Sequence, residues 1–143
     1  MPRFDSRLRA VALWDEAWCL RLNRASGVRW VRALLRAVSR LGDGVFARID
    51  HAAGAQKVGK TLRPTELLIF GNPQGGTPLM ECAQSAGIDL PLKALAWEDA
   101  QGQAWLGWND PAWLAKRHGA ESCPAVENLR KALDALAQSA VAR

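Results

Sequence analysis

The sequence predicts a small two-layer α+β domain, with helices packed on one mixed or largely antiparallel sheet. Three observations predict it. Apolar residues recur at helical spacing around 28–41 and 124–141. Short β-rich runs bounded by Gly and Pro lie between those stretches. Two such runs, 92–98 and 103–108, flank a polar turn containing Gly102, which is the pattern of a hairpin.

Each element follows from local chemistry. Leu8, Val11, Trp18, Cys19 and Leu22 fall near helical spacing, so 8–23 reads as a helix that breaks at "ASG", residues 25–27. In "VRWVRALLRAVSRL", residues 28–41, the apolar face is Val31, Leu34, Leu35, Val38 and Leu41. Arg29, Arg32, Arg36 and Arg40 lie mostly off that face, and Gly42 offers a stop. Val45, Phe46 and Ile49 suggest a short strand, and residues 51–60 a short helix. "LLIFG" at 67–71 belongs to a strand spanning about 66–70. Thr77 and Pro78 have the chemistry of a helix cap and first turn, predicting a helix over 77–86 that stops at Gly87. A short helix over 111–118 precedes the last one, whose core-facing set is Val126, Leu129, Leu133, Leu136 and Val141.

The 143 residues suffice for one modest core, and an apolar fraction of 49% excludes general disorder. Charge is uneven. Residues 1–48 hold ten Arg and four acids, a net +6, whereas the remainder is close to neutral. Such a basic start suits an anionic membrane surface, a solvated face or a packed helix. Nucleic acid is not expected, because no aromatic–basic platform accompanies the charge. The three cysteines, Cys19, Cys82 and Cys123, show no CxxC spacing and predict neither a disulfide framework nor a zinc site. No metal or cofactor is expected. No apolar run reaches the length of a membrane span, and a cytoplasmic, at most membrane-peripheral, location is the expectation.

The stretch "IFGNPQGGTPLM", residues 69–80, departs from both GxxxxGK[ST] and GxGxxG. A strand, a Gly-rich turn and a helix start nonetheless leave two readings open: a structural turn, or a site where helix N–H groups meet a small anion. Asp50 and His51 are the most suggestive acid–base pair, although neighbours on a strand point to opposite faces. His118 ends a predicted helix, where a cation is favoured, and joins Asp50 and His51 as a catalytic candidate. Asp89 and Lys93 are spaced for an ion pair. Ser85 has no nucleophile-elbow context, and Cys82 reads as a small buried helix residue.

The motifs "FARIDHAAGA", "LRPTELLIFGNP", "GTPLM" and "IDLPLKALAWEDAQGQAWLGWNDPAWLAKRHG" together resemble the family catalogued as domain of unknown function 302, over about residues 45–141. That resemblance implies a dimeric α+β fold of unestablished biochemistry. It also implies a signature surface containing Asp50, His51, Gly71, Asn72, Pro73, Gly76, Thr77, Asp89, Pro91, Asn109, Asp110 and His118. Lys93 joins the candidate ligand set. Residues 12–44 are similar instead to the entry segment of type 2 phosphatidic acid phosphatases, but without that family's catalytic motifs. The expectation is therefore an Arg-rich helical segment over 1–44 joined to a domain over 45–143 that lacks the family's first strand, leaving a sheet edge open.

Taken together, these readings favour a noncatalytic small-molecule-binding or regulatory domain, forming a homodimer and taking a small anionic ligand. A hydrolase or lyase using Asp50 and His51 is the enzyme alternative. An interaction module touching membrane through residues 1–44 is the third.

Overall fold

A computed structural model describes residues 10–14, 17–21, 27–40 and 44–141, and the side chains of 31–40 and 44–139. In chain order the elements are β1 (Ala10–Trp14), β2 (Ala17–Arg21), α1 (Gly27–Arg40), β3 (Gly44–Asp50), α2 (His51–Lys57), β4 (Thr65–Gly71) and α3 (Pro73–Cys82). A 3₁₀ helix, Gln84–Ile88, then leads to β5 (Leu92–Glu98), β6 (Ala104–Asn109), α4 (Pro111–Arg117) and α5 (Ala125–Val141). The strands form one sheet in the order β1-β2-β6-β5-β4-β3, and every neighbouring pair is antiparallel.

Period-two alternation decides which sheet face is buried. Leu92, Ala94 and Ala96 on β5 point into the core, as do Leu68 and Phe70 on β4 and Ala104, Leu106 and Trp108 on β6. Register aligns Leu68, Ala94 and Trp108 in one row across three strands. α1 covers this face with Val31, Leu34, Ala37 and Val38, while Arg32, Arg36 and Arg40 stay exposed. α5 lies beside it with Leu129, Leu133, Leu136 and Ala137 buried. Both sets follow helical spacing, so α1 and α5 each bury one stripe.

The N-terminal region differs from its sequence reading. Residues 10–14 and 17–21, expected to be helical, are strands: β1 and β2 pair antiparallel, and β2 pairs with β6. The strand expected to be missing is thus supplied by residues 17–21, with 10–14 beyond it. β1, β2 and α1 belong to the same sheet and helix layer as the later elements. Leu8, Leu22, Leu41 and Gly42 lie outside the described residues, as does the side chain of Val141.

The central and C-terminal elements match expectation closely, with one shifted helix start. α3 begins at Pro73, not Thr77, because Asn72 is the cap and its side chain accepts from Gly75 N–H at 2.8 Å. Pro73 then occupies the first turn, and Pro78 falls inside the helix. α3 contains two prolines and two glycines, so propensity alone does not hold it. Fully buried Leu79 and packing against α5 do. Beyond Cys82 the chain passes into the 3₁₀ helix, which includes Gly87, the expected stop.

Cys82 and Cys123 form a disulfide, with Cα atoms 6.1 Å apart across 41 residues of sequence. This corrects the expectation of unpaired cysteines and of a buried Cys82, which is exposed. Folding brings together an α3 end and a loop before α5 that no spacing motif connects. Closing a loop of this length stabilises by about 4 kcal/mol in the chain-entropy account. Urea unfolding with and without a thiol reductant should therefore show a lower midpoint under reduction. The double variant Cys82→Ser/Cys123→Ser should match the reduced wild type and not respond to reductant.

Candidate functional site

A cavity of about 290 Å³ lies where β3, the start of α3, the 3₁₀ helix and α5 meet. Gly71, Asn72, Pro73, Gly76, Thr77 and Pro91, six of the residues singled out from the sequence, line it. Leu129 and Ala132 of α5 form the opposite wall, and Leu90 to Leu92 close one side. Phe46, 62% exposed, stands at its edge. The walls are predominantly apolar, with Asn72 and Thr77 supplying the side-chain polarity.

The local sequence explains this space. Gly71 ends β4 with φ 153°, a conformation that side chains rarely adopt, and turns the chain toward α3. Gly75 and Gly76 leave the cavity-facing turn of α3 without side chains. A Cβ on Gly76 would meet Leu90 Cδ1 at 3.6 Å, and one on Gly75 would meet Leu129 Cδ2 at 3.7 Å. Both are ordinary contacts, so side-chain-free walls are a feature of the cavity and not a requirement of packing. The helix-start donors are partly committed. Gly75 N–H is held by Asn72 Oδ1, and Gly76 N–H by the Asn72 carbonyl at 3.2 Å.

The other sequence candidates are distributed around the fold. Asp50 caps α2, accepting from Ala53 N–H at 2.9 Å, and His51 opens that helix in an exposed position. They sit at the opposite end of β3 from Gly44, which pairs with Gly71. Six steps of strand separate the two ends, roughly 20 Å. The three catalytic candidates are not brought together: His118 follows α4 and is bonded elsewhere. Lys93 alternates with buried Leu92 and Ala94, so it faces the side of the sheet away from the helices. Asp89 binds Arg117 and His118, not the expected Lys93. Asp110 caps α4 through Ala112 N–H at 2.9 Å and faces Arg130 at 4.0 Å, with Asn109 just before it. Burial pushes the nearby Asp134 carboxyl up, with Arg130 opposing. Asp89, Lys93, Asn109 and Asp110 are absent from the cavity lining.

One polar cluster escaped sequence reasoning. Ser85 Oγ lies 2.9 Å from His118 Nδ1, and His118 Nε2 lies 2.5 Å from Asp89 Oδ2. Arg117 Nη1 donates to Asp89 Oδ1 at 3.0 Å, and its guanidinium stands over the Trp113 ring at 5.8 Å from the centroid. The His118 side chain is 8% exposed and that of Asp89 14%. These bonds tie the 3₁₀ helix and the chain after it to the end of α4. Gly87, Leu90 and Pro91 in that tethered stretch are cavity wall. A His and an Asp 29 residues apart could be paired only through the fold. Among the described residues, no group of three or more His, Cys, Asp or Glu is placed to hold a metal ion. Nor is any helix long and apolar enough to cross a membrane.

Comparison with known proteins places this fold. The family model described as "Domain of unknown function DUF302" matches residues 21–136. The chain belongs to the DUF302 family. The match takes in α1 and most of residues 12–44, so nothing found supports the phosphatase-like reading of that stretch. The Arg-rich amphipathic pattern there is accounted for by α1 packing on the sheet. A crystal structure of an uncharacterised conserved DUF302 protein from Bacillus stearothermophilus has the same fold, with a TM-score of 0.79. It covers 90% of this chain and 99% of that one, at 18% identity. Two curated proteins called fluoride-specific ion channel FluC 1, from Brucella suis biovar 1 (strain 1330) and Brucella abortus biovar 1 (strain 9-941), are 51% identical over 96 residues. Those residues are 67% of this chain but 38% and 36% of the relatives, so the chain spans little more than a third of their length.

Replacing Asp89 by Ala should cost about 1–3 kcal/mol, because it strands the His118 N–H with little access to water. Urea unfolding of Asp89→Ala beside wild type measures this. An unchanged midpoint would mean that the tether does not hold the cavity wall.

Proposed function

We propose that the cavity of this DUF302 domain is a noncatalytic binding site that takes a small, largely apolar molecule and reports it through α3 and the tethered wall. The observation that carries this reading is the pair Gly75 and Gly76 on the cavity side of α3, where Cβ atoms would fit without clash. Alanine favours a helix over glycine by about 1 kcal/mol, so packing alone gives no reason for two glycines there. Open backbone beside a cavity suits the close approach of a ligand. The anionic ligand expected from the sequence has less support. Asn72 already occupies the Gly75 N–H that an anion would take, and apolar walls disfavour a desolvated charge. Thr77 and Asn72 suit one or two neutral polar atoms on the ligand.

The Brucella relatives support a regulatory setting. A domain like this one accounts for part of proteins named as fluoride channels, which fits a sensing role beside a separate transport unit. The channel activity itself is not proposed for this chain.

A second reading concerns the homodimer. Trp97 and Trp105 pair directly across β5 and β6, with centroids 6.3 Å apart, on the sheet face opposite the helices. Leu67, Ile69 and Leu95 share that face and are half-buried. A second copy joined through this apolar face suits it. Sedimentation velocity of wild type should then show a dimer that Trp97→Lys converts to monomer. A monomeric wild type sinks the dimer.

The cavity is tested with anilinonaphthalene sulfonate, a dye with apolar rings that brightens on leaving water. Gly76→Ala should raise stability by about 0.5–1 kcal/mol and weaken dye binding severalfold. Dye bound equally well by Gly76→Ala and by the bulkier Gly76→Leu would place it outside the cavity and overturn the assignment.

A further inference from the structure

We infer that Ser85 is a reactive nucleophile, activated by His118 and Asp89, that takes acyl groups from activated esters or thioesters. The hydrogen bonds carry the polarity of the site. A carboxylate only accepts, so His118 donates Nε2–H to Asp89. In the neutral ring this leaves Nδ1 with a lone pair, and Nδ1 faces Ser85 Oγ at 2.9 Å. The serine hydroxyl therefore donates to a base that is oriented from behind. That is the arrangement of nucleophile, base and orienting acid that activates a serine, here with the two ring nitrogens in exchanged roles.

Exposure follows the same order. Asp89 and His118 are shielded, which holds the ring in one orientation. Ser85 is exposed at the start of the 3₁₀ helix, where an acyl donor can reach it. Arg117 Nη1 donates to the second Asp89 oxygen at 3.0 Å, which holds the carboxylate turned toward the ring. None of Ser85, Asp89 and His118 lines the cavity, so this reactivity is separate from the binding role proposed above.

In the step itself, Ser85 Oγ bonds to the acyl carbonyl carbon and its proton passes to His118 Nδ1. The carbon–sulfur or carbon–oxygen bond to the leaving group breaks, and the leaving anion takes its electron pair. Nδ1 then returns the proton to that anion or to solvent. Water hydrolyses the resulting Ser85 ester by the same route, releasing the acid and restoring the hydroxyl. Among the described residues, His118 is the sole acid–base group bonded to Ser85. The leaving group must accordingly be stable as an anion, such as a phenolate or thiolate, which selects activated esters over amides.

The full chain with its disulfide intact is incubated with p-nitrophenyl acetate, and p-nitrophenolate release is followed beside peptide mass spectrometry. The expected result is one acetyl group on Ser85 and release faster than for Ser85→Ala, which should fold normally because the position is exposed. Asp89→Asn, nearly isosteric, should keep the acetylation site and slow release about 10²-fold or more. His118→Gln should do the same, with circular dichroism confirming that each variant is folded. Release from wild type no faster than from Ser85→Ala would overturn the inference, as would acetyl spread over lysines with Ser85 unmodified. An Asp89→Asn rate equal to wild type in a folded protein would overturn the role of the carboxylate.

Discussion

The structure depends on how closely α1 can approach one face of the sheet, with α5 packed beside α1. Ala94, Ala96 and Ala104 put small side chains on the two central strands, and Ala37 and Ala137 do the same on the helices. Small residues let α1 settle on the sheet, while Phe70, Leu106 and Trp108 fill the space between them on the same buried face. With α1 on this face and α5 beside it, α3 packs on α5 and buries Leu79. The cavity forms at the border between α3 and α5. Two helices meet there where one presents Gly75 and Gly76 and the other presents Leu129 and Ala132.

Two ties then fix the border, and they join the same pair of segments. On one side are Cys82, Ser85 and Asp89, at the end of α3 and through the 3₁₀ helix. On the other are Arg117, His118 and Cys123, from the end of α4 to the loop before α5. The disulfide is covalent, and the Ser85–His118–Asp89–Arg117 chain is polar. They respond to different surroundings. A disulfide persists in oxidising compartments and opens to two thiols where glutathione or thioredoxin is active. The hydrogen bonds survive that change. In a reducing cytoplasm the cavity wall would rest on Asp89 alone, and in an oxidising compartment on both ties.

The sequence exposed most of the fold because most elements are specified locally. The hairpin of β5 and β6 carries alternation and a Gly102 at φ 74°, so each strand announces both its face and its turn. α1 and α5 carry full helical stripes. β1 and β2 failed that reading for a physical reason. Over five residues, a few Ala, Leu and Trp satisfy a helical period as easily as a strand period. What decides them is pairing of β2 with β6, almost ninety residues later in the chain. The start of α3 failed differently. "NP" at 72–73 and "TP" at 77–78 are equivalent helix-start signals, and only the Asn72 bond to Gly75 chooses between them.

The candidate site was legible to the extent that it rests on glycine. Gly71 and Gly76 are recognisable because a glycine cluster between a strand and a helix needs a backbone reason, and here the reasons are a turn and an open wall. The chemistry of that wall was not legible. Whether a helix start offers its N–H groups to a ligand depends on which side chain reaches them first, and Asn72 does so one residue before the helix. The same cap that makes α3 possible reduces its attraction for anions, and the apolar wall from α5 comes from a distant part of the chain. The histidines show the matching limit. Asp50, suggestive beside His51, caps α2 instead, whereas His118 far from Asp89 is paired through folding. A serine beside neither in sequence completes the chain. Proximity along the sequence is therefore a poor guide to polar chemistry in this domain. The tight corner from α3 into the 3₁₀ helix creates the chemistry, by delivering Ser85 and Asp89 to opposite nitrogens of one imidazole.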